Sequence, residues 1–400
     1  MARMGRWFQW RGGITAALLC LSACSTANSS ERVTAREAAF EVETPRRDIE
    51  PIPVSLDAAN AAAGKLPRLR SLLVDRRGDL ILEKYFNGAR PQQPANIKSA
   101  SKVVISALVG IAIGRGLISG VDAPIGPFFP KLLAAEADAG KQAITIEDLL
   151  TMRSGLESTS SRNYGAWVHS PNWVRHALTR RLVAKPGESM DYSTGNTHLL
   201  SAILTKASGK STREFAQDTL AEPLGFTLAP WPRDPQGIYF GGNDMEMTPR
   251  QMLAFGKLYL AGGEANGRQI VPADWIKESV LPRTLSGRSR RLYGYGWWIR
   301  ELAGCVTYYA WGFGGQFIFV LPDLDVVVVA TSSDAPGGER HGHRDALYEM
   351  VAEHVVAPIK RSEAAAGAHT AGTLPGDRMI RPLPGAFPLL QQWESGTQTD

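Results

Sequence analysis

Regular patterning of apolar and polar positions begins at Leu66. Leu69-Arg70-Ser71-Leu72-Leu73-Val74-Asp75, a turn at Arg76-Arg77-Gly78-Asp79, and Leu80-Ile81-Leu82-Glu83-Lys84-Tyr85-Phe86 predict a β-hairpin. From about 96 to 117 the pattern turns helical. Val103, Val104, Ile105, Ala107, Leu108, Ile111 and Ile113 make this helix apolar on most faces, so it is expected to be central and buried. Between about 118 and 290, breakers alternate with short amphipathic stretches, for example 146–150, 197–207 and 252–260, which predicts mostly helices and loops. Strand patterns return at 295–300, 305–311, 317–321 and 326–330, and a last helix is expected over about 345–356. Strands at both ends with helices between them predict an α+β fold: one antiparallel sheet built from both chain ends and flanked by helices, with a mostly helical inserted region.

The flanks are of another kind. Arg3, Arg6 and Arg11 precede a short apolar run from Ile14 to Leu21 and then Leu21-Ser22-Ala23-Cys24. The run is too short to span a bilayer, which takes about 20 apolar residues, and residues 1–23 read as a processed signal. Ser25-Thr26-Ala27-Asn28-Ser29-Ser30 opens a polar tether over 24–54. Beyond Arg361, Pro375, Pro382, Pro384 and Pro388 interrupt a glycine-containing stretch, so 361–400 is expected to be a disordered tail. The folded domain is then 55–360. A chain of 400 residues with 44% hydrophobic and 21% charged content has ample material for a core. Part of the formal charge of +5 lies in the signal arginines, and no basic stripe marks a nucleic-acid partner. Cys20 lies in the apolar run, Cys24 directly after it, and Cys305 stands alone, so no intramolecular disulfide is expected; Cys305 reads as a small apolar strand residue.

For chemistry, a G-x-S-x-G elbow is missing. His341-Gly342-His343 with Asp345 lacks a third metal partner, and Gly312-Phe313-Gly314-Gly315-Gln316 lacks the spacing of a dinucleotide fingerprint. Ser99-Ala100-Ser101-Lys102 stands at the start of the buried helix. Residues three apart share a helix face, so Lys102 can reach the Ser99 hydroxyl. Burial and the positive end of the helix dipole both disfavour an ammonium there, and a partly neutral lysine can take a hydroxyl proton. The bland alternative is a serine cap followed by a solvated lysine. Two later segments argue for chemistry. Pro186-Gly187-Glu188-Ser189-Met190-Asp191-Tyr192-Ser193-Thr194-Gly195-Asn196 puts a tyrosine in a turn before an apolar helix. Trp311-Gly312-Phe313-Gly314-Gly315-Gln316 puts small residues beside an apolar strand, where a substrate can approach the backbone.

Leu21-Ser22-Ala23-Cys24 resembles the bacterial lipobox, which implies diacylglycerol on Cys24 and a membrane anchor of more than one acyl chain. Ser25, in place of an acidic inner-membrane retention residue, points to the outer membrane, facing the periplasm. With the Leu69–Phe86 hairpin region, the Ser99 to Lys102 motif, Thr145-Ile146-Glu147-Asp148-Leu149-Leu150-Thr151-Met152-Arg153-Ser154-Gly155-Leu156, the Tyr192 segment, Met247-Thr248-Pro249-Arg250-Gln251-Met252 and the terminal strands, residues 66–359 resemble the serine β-lactamase and penicillin-recognising superfamily. The branch is that of class C β-lactamases, family VIII carboxylesterases, DD-peptidases and 6-aminohexanoate-dimer hydrolases. The resemblance implies a β-lactamase/transpeptidase-like fold and a serine hydrolase without metal or organic cofactor. Ser99 would be the acyl-accepting nucleophile, Lys102 its proton acceptor and Tyr192 a second general base, with the backbone N–H groups of Ser99 and Gln316 as the oxyanion hole.

Two departures bear on substrate. Thr194 stands where Tyr-x-Asn is usual, and the third motif, which elsewhere carries Lys or His, offers Phe313 with Trp311 nearby. Loss of that cation argues against a substrate carboxylate and for small esters or amides. A DD-carboxypeptidase or weak β-lactamase is the alternative, and a non-catalytic envelope binding protein the alternative of another class. The implied substrate-binding residues are Tyr164, Trp167, Trp311, Phe313, Gly314 and Gly315. Tyr164, Trp167 and Trp173 form a pocket wall in this reading, or else pack between insert helices.

Overall fold

The hairpin forms as patterned. In the computed structural model the described residues are 54–371 apart from 135–138, 288 and 338–341, so the signal, Cys24, nearly all of the tether and the chain beyond Ala371 lie outside them. Strands β1 (Leu69–Arg76) and β2 (Asp79–Tyr85) come from one end of the domain. The other end supplies β3 (Thr284–Leu285), β4 (Leu292–Tyr293), β5 (Trp298–Leu302), β6 (Cys305–Gly312), β7 (Gln316–Leu321) and β8 (Val326–Ser332). They form one eight-stranded sheet in the order β2-β1-β8-β7-β6-β5-β4-β3, antiparallel throughout. The two ends join where β1 pairs with β8, for example Leu72 with Ala330 and Val74 with Val328. Because β8 has neighbours on both edges and cover on both faces, it is apolar without alternation: Val327 and Val329 enter one core, Val326, Val328 and Ala330 the other.

Helices α1 (Asp57–Gly64) and α5 (His343–Val351) cover one face. On the other lie α2 (Ser101–Gly114), α4 (Pro249–Leu260) and the inserted region with α3 (Thr194–Ser208), which packs on α2. Every residue of α2 from Ser101 to Ala112 is buried, which is why its pattern is apolar all round. Pro249 occupies the first turn of α4, and Thr248 and Gln251 form a capping box there, so the start of that helix is dictated locally.

Three expectations need correction. Residues 95–96 pair with 246–247 as a small ladder and Lys98–Ala100 form a tight 3-10 turn, so α2 proper starts at Ser101. Strands β3 and β4 border or enter the region expected to be helical; two-residue strands carry too little alternation to read. The last helix does not stop near 356. It runs through a wide turn at Ala352–Val356 into α6 (Ala357–Ala371), so residues 361–371 are helical rather than tail. The run Ser362-Glu363-Ala364-Ala365-Ala366 favours helix, and Glu363 pairs with Arg76 and Arg77 at the end of β1.

Candidate active site

Ser99 sits on the turn leading into α2, half-buried but accessible. The residue before it, Lys98, has a left-handed backbone (φ 50°), a strained setting for a long side chain. Its N–H donates to Asn96 Oδ1 (3.0 Å), and its ammonium bridges Asp244 (3.1 Å) and Asp334 (2.9 Å). Ser101 is buried and donates its hydroxyl to the Lys98 carbonyl (2.7 Å), which leaves Ser99 as the available hydroxyl of the motif. One turn on, Lys102 is buried, with Nζ 3.3 Å from Ser99 Oγ, 3.3 Å from Thr194 Oγ1 and 2.6 Å from the Gly242 carbonyl. Burial pushes its pKa down to about 7, against the opposing field of Asp244. As a neutral amine it can donate to Gly242 and Thr194 while its lone pair meets the Ser99 proton. Thr194 is thus a hydroxyl partner of the lysine.

Tyr192 and Thr194 are held by a serine-rich strip. Ser158 Oγ donates to the Tyr192 carbonyl (2.6 Å), Thr194 N–H donates to Ser160 Oγ (2.9 Å), and the Ser160 and Thr194 hydroxyls meet at 3.1 Å. The Tyr192 ring stacks on Trp298, and Lys102 Nζ lies 5.1 Å from its centroid. Burial raises the phenol pKa to about 12, partly offset by hydrogen bonding with Ser99. Ser99, Lys102 and Tyr192 thus converge from two segments of the chain.

The third element is the end of β6. Its pairing with β5 covers Cys305 to Tyr309, so 310–312 lack a strand partner on that edge. At Gly312 a Cβ would come 2.1 Å from the Ile97 carbonyl, so only glycine lets this edge touch the turn that carries Ser99. Gln316 faces Gly312 across the β6–β7 hairpin. Its side-chain amide donates to the Ser332 carbonyl (2.7 Å) and accepts the Ser332 N–H (3.1 Å), which restricts any oxyanion role to its backbone.

The remaining expected residues divide. Gly314 and Gly315 have left-handed backbones and shape the hairpin turn. Phe313 at its tip is 54% exposed. Trp311 is half-buried, 6.3 Å from Trp298 and under the Arg344 guanidinium at 5.6 Å, and so is the aromatic linked to Tyr192. Tyr164 accepts a hydrogen bond from Asn243 (2.7 Å) and reaches the site's border. Trp167 is not a pocket wall: fully buried, it packs on Trp173 and Phe240 and donates Nε1–H to the Trp173 carbonyl (3.0 Å), as insert packing demands. Among the described residues no cluster of three or more His, Cys, Asp or Glu side chains is placed to hold a metal; His343 bonds Ser332 Oγ (2.9 Å), and burial holds its pKa down at about 4.

Sequence pattern does not single out loop 241–244, which supplies the Gly242 carbonyl, the Asn243 bond to Tyr164 and the Asp244 charge. Its visible signal is the Gly241-Gly242 pair, since a Cβ at Gly242 would lie 2.9 Å from Lys102 Cγ.

Fold and site together define a serine hydrolase. Residues 70–353 match the Beta-lactamase family, and the chain belongs to it. In sequence it is similar to the 6-aminohexanoate-dimer hydrolase of Paenarthrobacter ureafaciens, at 26% identity over 344 residues, covering 76% of this chain and 84% of that one. In structure it is similar to EstCE1, a hydrolase with promiscuous acyltransferase activity (TM-score 0.58, 17% identity, 73% of this chain and 98% of that one). It is also similar to a D-stereospecific amidohydrolase from Streptomyces sp. (TM-score 0.57, 16% identity, 72% and 98%).

Proposed function

We propose that this protein hydrolyses small esters or amides through an acyl-enzyme on Ser99. The observation that carries this reading is the buried Lys102 amine, 3.3 Å from Ser99 Oγ and with its pKa lowered to about 7. Neutral Lys102 takes the Ser99 proton as Oγ adds to the carbonyl carbon. The oxyanion faces the Ser99 N–H and a backbone N–H from the β6–β7 hairpin, assigned to Gln316. With its pKa raised to about 12, Tyr192 enters the cycle protonated, so the first base is Lys102. Tyr192 gives its proton to the leaving oxygen or nitrogen and recovers one from the Lys102 ammonium. Water then attacks the acyl-enzyme, its proton passing to the Lys102–Tyr192 pair, and Ser99 is released.

The ester and amide preference is supported by the missing third-motif cation and by how nearby cations are held: Lys98 lies between Asp244 and Asp334, and Arg344 pairs with Asp345. The sequence relative acts on an aminohexanoate dimer by name, which fits a short amide. A lipid anchor at Cys24, placing the enzyme on the outer membrane, is part of the same proposal and is supported by Leu21-Ser22-Ala23-Cys24. The test is intact-mass analysis after exposure to a fluorophosphonate, a short-chain p-nitrophenyl ester, a penicillin and an acyl-D-Ala-D-Ala peptide. One fluorophosphonate adduct on wild type, lost in Ser99→Ala and kept in Ser101→Ala, is expected. An active wild type without an adduct on Ser99 removes the mechanism, and turnover of penicillin or peptide ahead of the ester reverses the substrate assignment.

A further inference from the structure

His198, on α3, and Asp234 form a fully buried pair at 3.1 Å, boxed by Trp167, Trp173 and Phe240. An apolar box ordinarily takes an apolar side chain, since a buried carboxylate is costly unless fully hydrogen-bonded. Here it is bonded. Asp234 Oδ1 accepts the N–H groups of Gln236 and Ile238, both at 2.9 Å, and Oδ2 faces His198 Nε2. The other ring nitrogen, Nδ1, receives the Gly241 N–H at 3.3 Å. A backbone N–H can only donate, so Nδ1 carries no proton and the ring proton sits on Nε2, toward the carboxylate. The next residue, Gly242, directs its carbonyl at Lys102 Nζ, the shortest of that amine's three contacts. The loop has no slack there: a Cβ at Gly241 would lie 2.3 Å from the Thr197 carbonyl and 2.7 Å from His198 Cα.

We infer that Asp234 and His198 are positioning residues for Lys102: the carboxylate fixes the tautomer with a bare Nδ1, which holds the Gly241 amide and, through it, the Gly242 carbonyl on the amine. This rests on the reading of Lys102 as the base. The relay runs from the turn at 234–238 through α3 to loop 241–244 and ends on the Lys102 amine.

The experiment is the rate constant for fluorophosphonate phosphonylation of Ser99, in which Oγ bonds to phosphorus and fluoride leaves, measured across pH and well below each variant's melting temperature. Asp234→Asn keeps shape but turns an amide N–H toward Nε2, which moves the ring proton to Nδ1 and sets it against the Gly241 N–H. Phosphonylation is expected to slow about 10- to 100-fold. The groups facing Lys102 are Ser99, Thr194, the Gly242 carbonyl, the Tyr192 ring and the charge of Asp244. Loss of the carbonyl removes a partner of the ammonium, so the acid limb of the profile moves to lower pH, which a purely structural role does not produce. His198→Asn retains an oxygen near the Nδ1 position and is expected within about threefold of wild type. His198→Leu has none and is expected to be as slow as Asp234→Asn. Wild-type rates and an unmoved acid limb in Asp234→Asn and His198→Leu overturn the inference, as does His198→Asn labelling as slowly as His198→Leu. Absence of a Ser99 adduct on the wild type overturns the mechanism of the preceding section instead.

Discussion

The ring of Tyr192 lies stacked on that of Trp298, with centroids 5.8 Å apart and planes 23° apart. Trp298 is the β5 residue paired with Tyr309, the last residue of β6 to have a partner on that edge. The phenol is thereby tied to the point where the sheet edge opens, beside 310–312. Trp298→Phe should keep the stacking and stay within about threefold of wild-type kcat, whereas Trp298→Leu should lower kcat about tenfold with a smaller change in KM. Steady-state kinetics on a p-nitrophenyl ester decide it: equal kcat in both variants removes the orienting role.

Activity should rise with pH through the Lys102 transition. Burial lowers this pKa to about 7, so the amine is mostly protonated, and idle as a base, below that pH and mostly neutral above it. The acid limb of kcat/KM should therefore have its midpoint near pH 7. Tyr192, with its pKa raised to about 12, should contribute no descending limb in the usual assay range. A limb near pH 10 with no inflection near 7 contradicts the assignment of the base.

Stability should carry the mark of the same burial, with the same sign against pH. The Lys102 pKa is lower folded than its ordinary value of 10.5, so the unfolded chain binds more protons between about 7 and 10.5 and stability rises with pH across that window. Below about 7 the full penalty of a buried ammonium remains. Lys102→Met should abolish acylation and raise stability at pH 6 by on the order of 2–4 kcal/mol, offset by the Gly242 carbonyl left without its donor. Denaturant melts at pH 6 and pH 9 read this directly: the gain should shrink at the higher pH, and a loss at both contradicts it.

Short-chain p-nitrophenyl esters should show clearly higher kcat/KM than nitrocefin or an acyl-D-Ala-D-Ala peptide. A missing charge-assisted hydrogen bond to the carboxylate is worth about 1.5–3 kcal/mol, or roughly 10- to 100-fold. Phe313→Lys at the exposed hairpin tip should move the ratio toward carboxylate substrates. Nitrocefin turnover equal to that of the esters in wild type sinks the preference and directs attention to Arg344, the guanidinium over Trp311. Arg153 and Arg300 are otherwise engaged, the first with Thr151 and the Gly187 carbonyl, the second on the Tyr348 ring.

Expressed in a Gram-negative host, the protein should partition with membranes and carry a diacylglyceryl mass increment on Cys24, and Cys24→Ala should lack it. A mature wild type without that increment refutes the anchor while leaving the hydrolase reading intact.

What could be read from the chain alone was what depends on short spacings. Ser99 and Lys102 meet because a spacing of three covers about one turn, even though Ser99 lies on the 3-10 turn and Lys102 on the helix that follows it. The terminal strands announce themselves by apolar runs, and α4 by its proline and capping box. Tertiary structure decided the rest. Tyr164 and Trp167 lie three residues apart with similar chemistry, yet one reaches Asn243 and the other is sealed in the insert core. Trp311 and Phe313 flank one glycine, and only packing against Trp298 distinguishes the aromatic tied to Tyr192 from the one at the hairpin tip. The lysine is buried because Thr194 and Gly242, 92 and 140 residues away in sequence, close over it. Spacing sets which groups can touch, but desolvation belongs to whatever the fold packs around them, and the ordinary pKa of 10.5 becomes about 7 only in that enclosure.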